Sequence, residues 1–92
     1  MQAMTGNLRL PDELGQALRE RRMAMGLSKS ELAARAGKVR EVIYRLEAGD
    51  DSTVSSLMAV VGALHMALRV EPVGLPTQEE VSRRFLEDDD DY

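Results

Sequence analysis

Between Leu27 and Gly49 the chain carries two short helical patterns, joined at Ala36-Gly37 and closed by a second glycine. No other feature narrows the possible folds as much. Ser28-Lys29-Ser30-Glu31 has the spacing of a capping box, in which a hydroxyl and a carboxylate three residues apart satisfy each other's backbone N–H groups. It predicts a helix over Lys29–Ala36, ended by Gly37 in the left-handed conformation. Residues 39–48 then place Val39, Val42, Ile43 and Leu46 on one side, with Arg40, Glu41, Tyr44 and Arg45 on the other. One face packs, and the opposite face is left for a partner.

The flanking sequence supplies a frame for these two helices. Pro11 suits a first helical turn, and Leu14, Ala17, Leu18 and Met25 follow at helical spacing up to Gly26, predicting a helix from Pro11 to about Met25. Beyond the turn and cap residues Asp50-Asp51-Ser52-Thr53, Leu57, Val60, Val61 and Leu64 keep the i, i+3, i+4, i+7 pattern of a fourth helix. The period then drops to two: Met66, Leu68 and Val70 are apolar, Arg69 and Glu71 polar, and Pro72 ends the run, which predicts a short strand. An unpaired strand leaves backbone groups unsatisfied, so it needs either Leu8-Arg9-Leu10 or its copy in another subunit, and the second is favoured. Thr77-Gln78-Glu79-Glu80 is another capping box, opening a short amphipathic helix with Val81, Phe85 and Leu86 on one side. Glu87 to Tyr92 is an acidic run expected to be disordered. The expected organisation is an N-terminal arm at 1–10, a helical domain with dimerisation segment at 11–73, and an acidic tail at 74–92.

Composition removes several classes of function. Ninety-two residues hold one domain at most, and a chain so short buries only about 60% of its unfolded surface, which favours a dimer. Absence of cysteine excludes disulfides and zinc-thiolate sites and fits a reducing cytoplasm. There is no apolar run near the roughly 18 residues of a membrane span, and no signal-peptide pattern, so a soluble intracellular protein is expected. His65 is the only histidine, and no group of residues suggests a catalyst, a metal site or a cofactor. Aromatic residues are few (Tyr44, Phe85 and Tyr92), which argues against a base-stacking platform for single strands.

The net charge of −4 conceals an asymmetry. Residues 1–50 hold nine Lys or Arg against seven Asp or Glu, whereas 51–92 hold three against nine. From Arg19 to Arg45 there are eight basic residues and only three acidic ones, Glu20, Glu31 and Glu41. That excess permits contact with a phosphate backbone without demonstrating it.

Helix, tight turn and helix with one apolar and one polar face is the sequence form of a helix-turn-helix, whose second helix reads base edges in the major groove. On that reading Arg40 and Arg45 donate to guanine O6 and N7, Glu41 accepts from cytosine N4, and Tyr44 touches a thymine methyl or a phosphate. Ser28 and Lys29 at the positive end of the preceding helix, with Lys38 on the turn, meet phosphates. Two plainer interpretations remain open: Glu41 and Arg45 can pair with each other, and Tyr44 can pack on the preceding helix.

From Gly15 to Leu68 the chain resembles the Cro/repressor-type (Xre-like) helix-turn-helix family. The resemblance rests on Leu14-Gly15-Gln16-Ala17-Leu18-Arg19, Arg22, Gly26-Leu27-Ser28, Glu31-Leu32-Ala33, Ala36-Gly37, Ile43, Arg45-Leu46-Glu47 and Gly49. The segment after the fourth helix is most similar to that of the HipB-like antitoxins, which dimerise through it. The resemblance implies a mainly α, lambda-repressor-like bundle of four to five helices with a short C-terminal β-strand pairing across a dimer. It also implies a salt bridge between Arg22 and Glu47. Two positions depart from the family: Lys29 stands where Gln is frequent, and Val39 where Ser or Thr caps the third helix, forgoing about 1 kcal/mol of capping.

The expected function is a dimeric repressor binding an inverted-repeat operator in double-stranded DNA, and within that class the antitoxin of a toxin–antitoxin pair, its tail docking on a toxin through Val81, Phe85 and Leu86. A phage-type repressor, a restriction-modification controller and a protein-interaction adaptor are the alternatives. For the tail, packing on its own dimer or a purely solubilising role compete with toxin docking.

Overall fold

A computed structural model describes residues 7–73. Four helices follow in order, α1 (Pro11–Ala24), α2 (Lys29–Ala36), α3 (Arg40–Ala48) and α4 (Val54–Ala63). The fold is mainly α, and its helix starts are set by local chemistry. At α2 the capping box forms in full: the Glu31 N–H donates to Ser28 Oγ at 3.0 Å, and the Ser28 N–H donates to Glu31 Oε1 at 2.7 Å. At α4, Thr53 Oγ1 accepts from the Ser56 N–H at 3.0 Å. At α1 the cap position is Leu10, which has no side-chain acceptor, so Glu13 reaches back instead to the N–H groups of Arg9 and Leu10 at 2.8 and 3.0 Å.

Glycines close α2 and α3. Gly37 lies at φ 67°, where its N–H turns back to Ala34 and the next N–H, of Lys38, reaches Ala33 at 2.9 Å. Any side chain there would have to adopt the strained left-handed region, so the turn that sets the angle between α2 and α3 depends on this residue.

α1 packs chiefly on α3, while α2 packs on both α3 and α4. Leu18, Leu32, Ile43, Val60, Val61 and Leu64 are almost fully enclosed, and Leu27, Ala33 and Leu46 complete the core. Leu14, Met25, Val42 and Leu57 pack half-buried around it.

Val39 overturns its assignment to the core. It is the N-cap of α3, with extended backbone angles (φ −79°, ψ 156°), and the side chain swings outward to 69% exposure. An apolar residue at the right interval still faces solvent if it precedes the first helical residue, because the 3.6-residue rotation has not begun.

The segment holding Met66, Leu68 and Val70 forms no strand among the described residues. The Met66 N–H is used in closing α4, donating to Val61 O at 3.0 Å, and its side chain packs half-buried on the chain's own core. Leu68 and Val70 are exposed. Pairing with Leu8-Arg9-Leu10 does not occur either: the two segments face each other across an open groove that Leu14 also lines. A strand exists only through its hydrogen-bonded ladder, and no second strand completes one among the described residues. The segments expected to form the tail helix, with Val81, Phe85 and Leu86, and the acidic run lie outside the described residues.

Candidate nucleic-acid interface

The outward side of α3 carries Arg40, Glu41, Tyr44 and Arg45, all exposed, while Ile43 and Leu46 on its other side are buried. Rotation by about 100° per residue separates the two sets. Arg40 is the first helical residue, and its Nη2 donates to the Tyr44 hydroxyl one turn on at 2.6 Å. Lys29, the first residue of α2, places Nζ 4.0 Å from the centroid of the same ring, and the Arg40 guanidinium carbon lies 5.1 Å away. Tyr44 thus does pack against α2, but through a cation on its face, and the residue as a whole stays exposed.

Arg45 and Glu41 also pair, at 3.7 Å, both well exposed. Such a pair contributes only about 0.3–0.5 kcal/mol and yields readily to a competing ligand. Ser28 is the N-cap of α2, and Lys38 lies in the turn between α2 and α3. Within the first turn of α2 the capping box uses the N–H groups of Ser28 and Glu31, while those of Lys29 and Ser30 have no acceptor among the described residues. Two unshared N–H groups beside an ammonium suit a phosphate oxygen.

Behind the face, Arg22 of α1 makes a bidentate ion pair with Glu47 of α3, Nε to Oε2 at 2.6 Å and Nη2 to Oε1 at 3.1 Å. Its remaining Nη1 donates to Leu27 O at 2.9 Å. The Glu47 carboxylate, by accepting these bonds, holds the guanidinium even more firmly protonated than is usual. One side chain thereby joins α1, the link into α2 and the end of α3. Arg21, which no sequence pattern singled out, donates from Nε to Leu64 O at 2.9 Å and caps the end of α4. A bond across 43 positions leaves no periodic trace in the sequence.

A helix-turn-helix domain profile matches residues 13–75, more than half of the chain. The chain belongs to the helix-turn-helix domain family. No curated protein sequence matches it. Among solved structures, a HipA-HipB-O2-O3 complex, a HipB-O4 20mer complex and the MDT protein each contain a chain similar to this one with a TM-score of 0.70 and 21% identity. Each match covers 75% of this chain and 99% of the other. At such identity the likeness shows a common fold.

In this helix-turn-helix domain the two capping carboxylates make helix stability dependent on pH. Hydrogen bonds from the N–H groups of Arg9 and Leu10 hold Glu13 below the usual carboxylate range, and bonds from the Ser28 N–H and hydroxyl do the same for Glu31. A carboxyl depressed in the folded state contributes stability that is complete above its unfolded pKa and is lost as pH falls through the folded one. Helix content followed by circular dichroism in mild urea is therefore expected to fall below about pH 4.3, the ordinary Glu value. Glu31→Gln should flatten part of that acid limb. An identical acid limb in the variant would contradict the assignment.

Among the described residues no helix is long and apolar enough to cross a membrane, and no cluster of side chains has the make-up of a metal site.

Proposed function

We propose that this protein is a sequence-specific transcriptional repressor that binds an inverted-repeat operator as a homodimer, and that it is the antitoxin of a type II toxin–antitoxin pair repressing its own operon in the cytoplasm. The observation that carries this reading is the outward face of α3, where Arg40, Glu41, Tyr44 and Arg45 all stand exposed on a helix whose other side is locked into the core.

Arg40 and Arg45 have the paired donors that match guanine O6 and N7, Glu41 the acceptor for cytosine N4, and Tyr44 the ring for a thymine methyl. Ser28, Lys29 and Lys38 fix the register through phosphates, which positions the domain on DNA without specifying sequence. Dimerisation would use the Met66-to-Val70 segment, where Leu68 and Val70 are exposed beside a groove rimmed by Leu8 and Leu10. The finer assignment to an antitoxin draws on the fold shared with a chain of the HipA-HipB-O2-O3 complex and on the amphipathic Val81, Phe85, Leu86 pattern, which suits a groove on a protein partner.

Fluorescence anisotropy on a selected operator and on random DNA tests the face directly. Arg40→Ala is expected to cost about 1–3 kcal/mol per half-site on the operator and to relax one base position. Lys29→Ala should weaken both DNAs alike and reduce the slope of log affinity against log salt by about one. Equal losses on both DNAs from both variants would overturn the reading.

A further inference from the structure

We infer that Tyr44 is a positioning residue, which fixes the guanidinium of Arg40 relative to the ammonium of Lys29 so that a base-reading group and a phosphate-binding group arrive at the duplex in a set register. The inference rests on the proposal that the outer face of α3 meets DNA.

The two cations belong to the first residues of consecutive helices, and the Tyr44 side chain touches both. Lys29 Nζ lies 4.0 Å from the ring centroid, and Arg40 is held both over the ring, at 5.1 Å, and at its hydroxyl, by a 2.6 Å bond. The electron-rich ring attracts each cation without neutralising it. Arg45 differs, because its partner in the free protein is the Glu41 carboxylate, a charge that competes with DNA for it. Arg40 is restrained by a neutral hydroxyl and keeps its full charge for the ligand. Its Nη2 retains a second N–H, and Nη1 and Nε remain, so the fork that matches guanine stays available while one donor is engaged. An arginine already held in place loses less rotamer freedom on binding than a free one.

The test uses the full chain with Tyr44→Phe, which keeps the ring and both cation contacts but removes the hydroxyl, and Tyr44→Leu, which removes both. Base preference is read at every operator position, together with affinity for random DNA and its salt slope. Tyr44→Phe is expected to lower discrimination about threefold to tenfold, the range for releasing one flexible side chain, at the same base position that Arg40→Ala relaxes. Random-DNA affinity and salt slope should not change. Tyr44→Leu should in addition weaken random DNA, because Lys29 is released as well. In an Arg40→Ala background Tyr44→Phe should add nothing, whereas a merely structural role for the hydroxyl would give additive losses.

If Tyr44→Phe keeps full discrimination at the position that Arg40→Ala relaxes, or if the losses are additive, the positioning role is wrong although the DNA-reading face stands. If Arg40→Ala relaxes no position, the face itself is misassigned and the inference falls with it.

Discussion

Replacing Glu47 with alanine is expected to destabilise the fold by about 3 kcal/mol or more, because it strands a charged guanidinium in a site that water reaches poorly. The side chains of Arg22 and Glu47 are only 10% and 5% exposed, and the substitution removes two of the three hydrogen bonds that Arg22 makes. Small domains have total stabilities near the lower end of about 5–15 kcal/mol, so one such change consumes much of the margin. Urea unfolding gives the loss directly. Removing both partners together, as Arg22→Leu with Glu47→Leu, should recover most of it, since an apolar pair of similar volume carries no desolvation penalty. A single variant Glu47→Ala that unfolds at the wild-type urea midpoint would show that the pair is solvated and of little consequence.

Gly15→Ala should be nearly as damaging, for a steric reason. A β-carbon at this position would stand 2.5 Å from the carbonyl oxygens of both Leu46 and Glu47. These are backbone atoms that no side-chain rotation can clear, so α1 must move away from the end of α3. Alanine's better helix propensity returns about 1 kcal/mol, while overpacking of this kind costs about 1–3 kcal/mol and sometimes more. A net loss of about 2 kcal/mol is expected, at the upper end because Arg22 lies two turns further along the same face of α1 and would lose its alignment with Glu47. Thermal unfolding checks it, with a fall of about 8–16 °C for a domain of this size. A raised midpoint would mean that the helices do not approach so closely.

Legibility of this fold follows the range over which each signal acts. Ser28 and Glu31, Thr53, Gly37 and Gly49 act within one turn of chain, and the starts and ends they imply agree closely with the four helices. Leu18, Ile43, Leu46, Val60, Val61 and Leu64 were readable from spacing because burial on a helix is periodic. Val39 misled because the same spacing extends past the point where the helix begins, and the extended cap residue turns its side chain out. The apolar alternation of Met66, Leu68 and Val70 fixes which residues can share a face of a strand, but says nothing of what completes the ladder.

The site shows the same division. That Arg40, Glu41, Tyr44 and Arg45 share one face follows from their positions in α3, and so does the availability of Glu41 to Arg45. Residue spacing alone does not join Lys29 to Tyr44 or Arg21 to Leu64 O, since each contact exists only after the helices have packed. The link between Arg22 and Glu47 came from family resemblance, and the structure adds the reason for it: the same guanidinium also holds Leu27 O and so ties the entry into α2 to the exit from α3. Glycine at position 15 was part of that resemblance too, and its cause is the carbonyl pair at the end of α3.

Selection of DNA by the 92-residue chain from a random duplex pool, followed by sequencing, tests most directly whether α3 reads base edges. The expected product is an inverted repeat with half-sites about 34–36 Å apart along the helix axis. At least one position in each half-site should lose its preference when the selection is repeated with Arg40→Ala. A pool that stays random under wild-type selection, or an enriched motif that Arg40→Ala and an Arg45→Ala variant leave unaltered, would contradict the account.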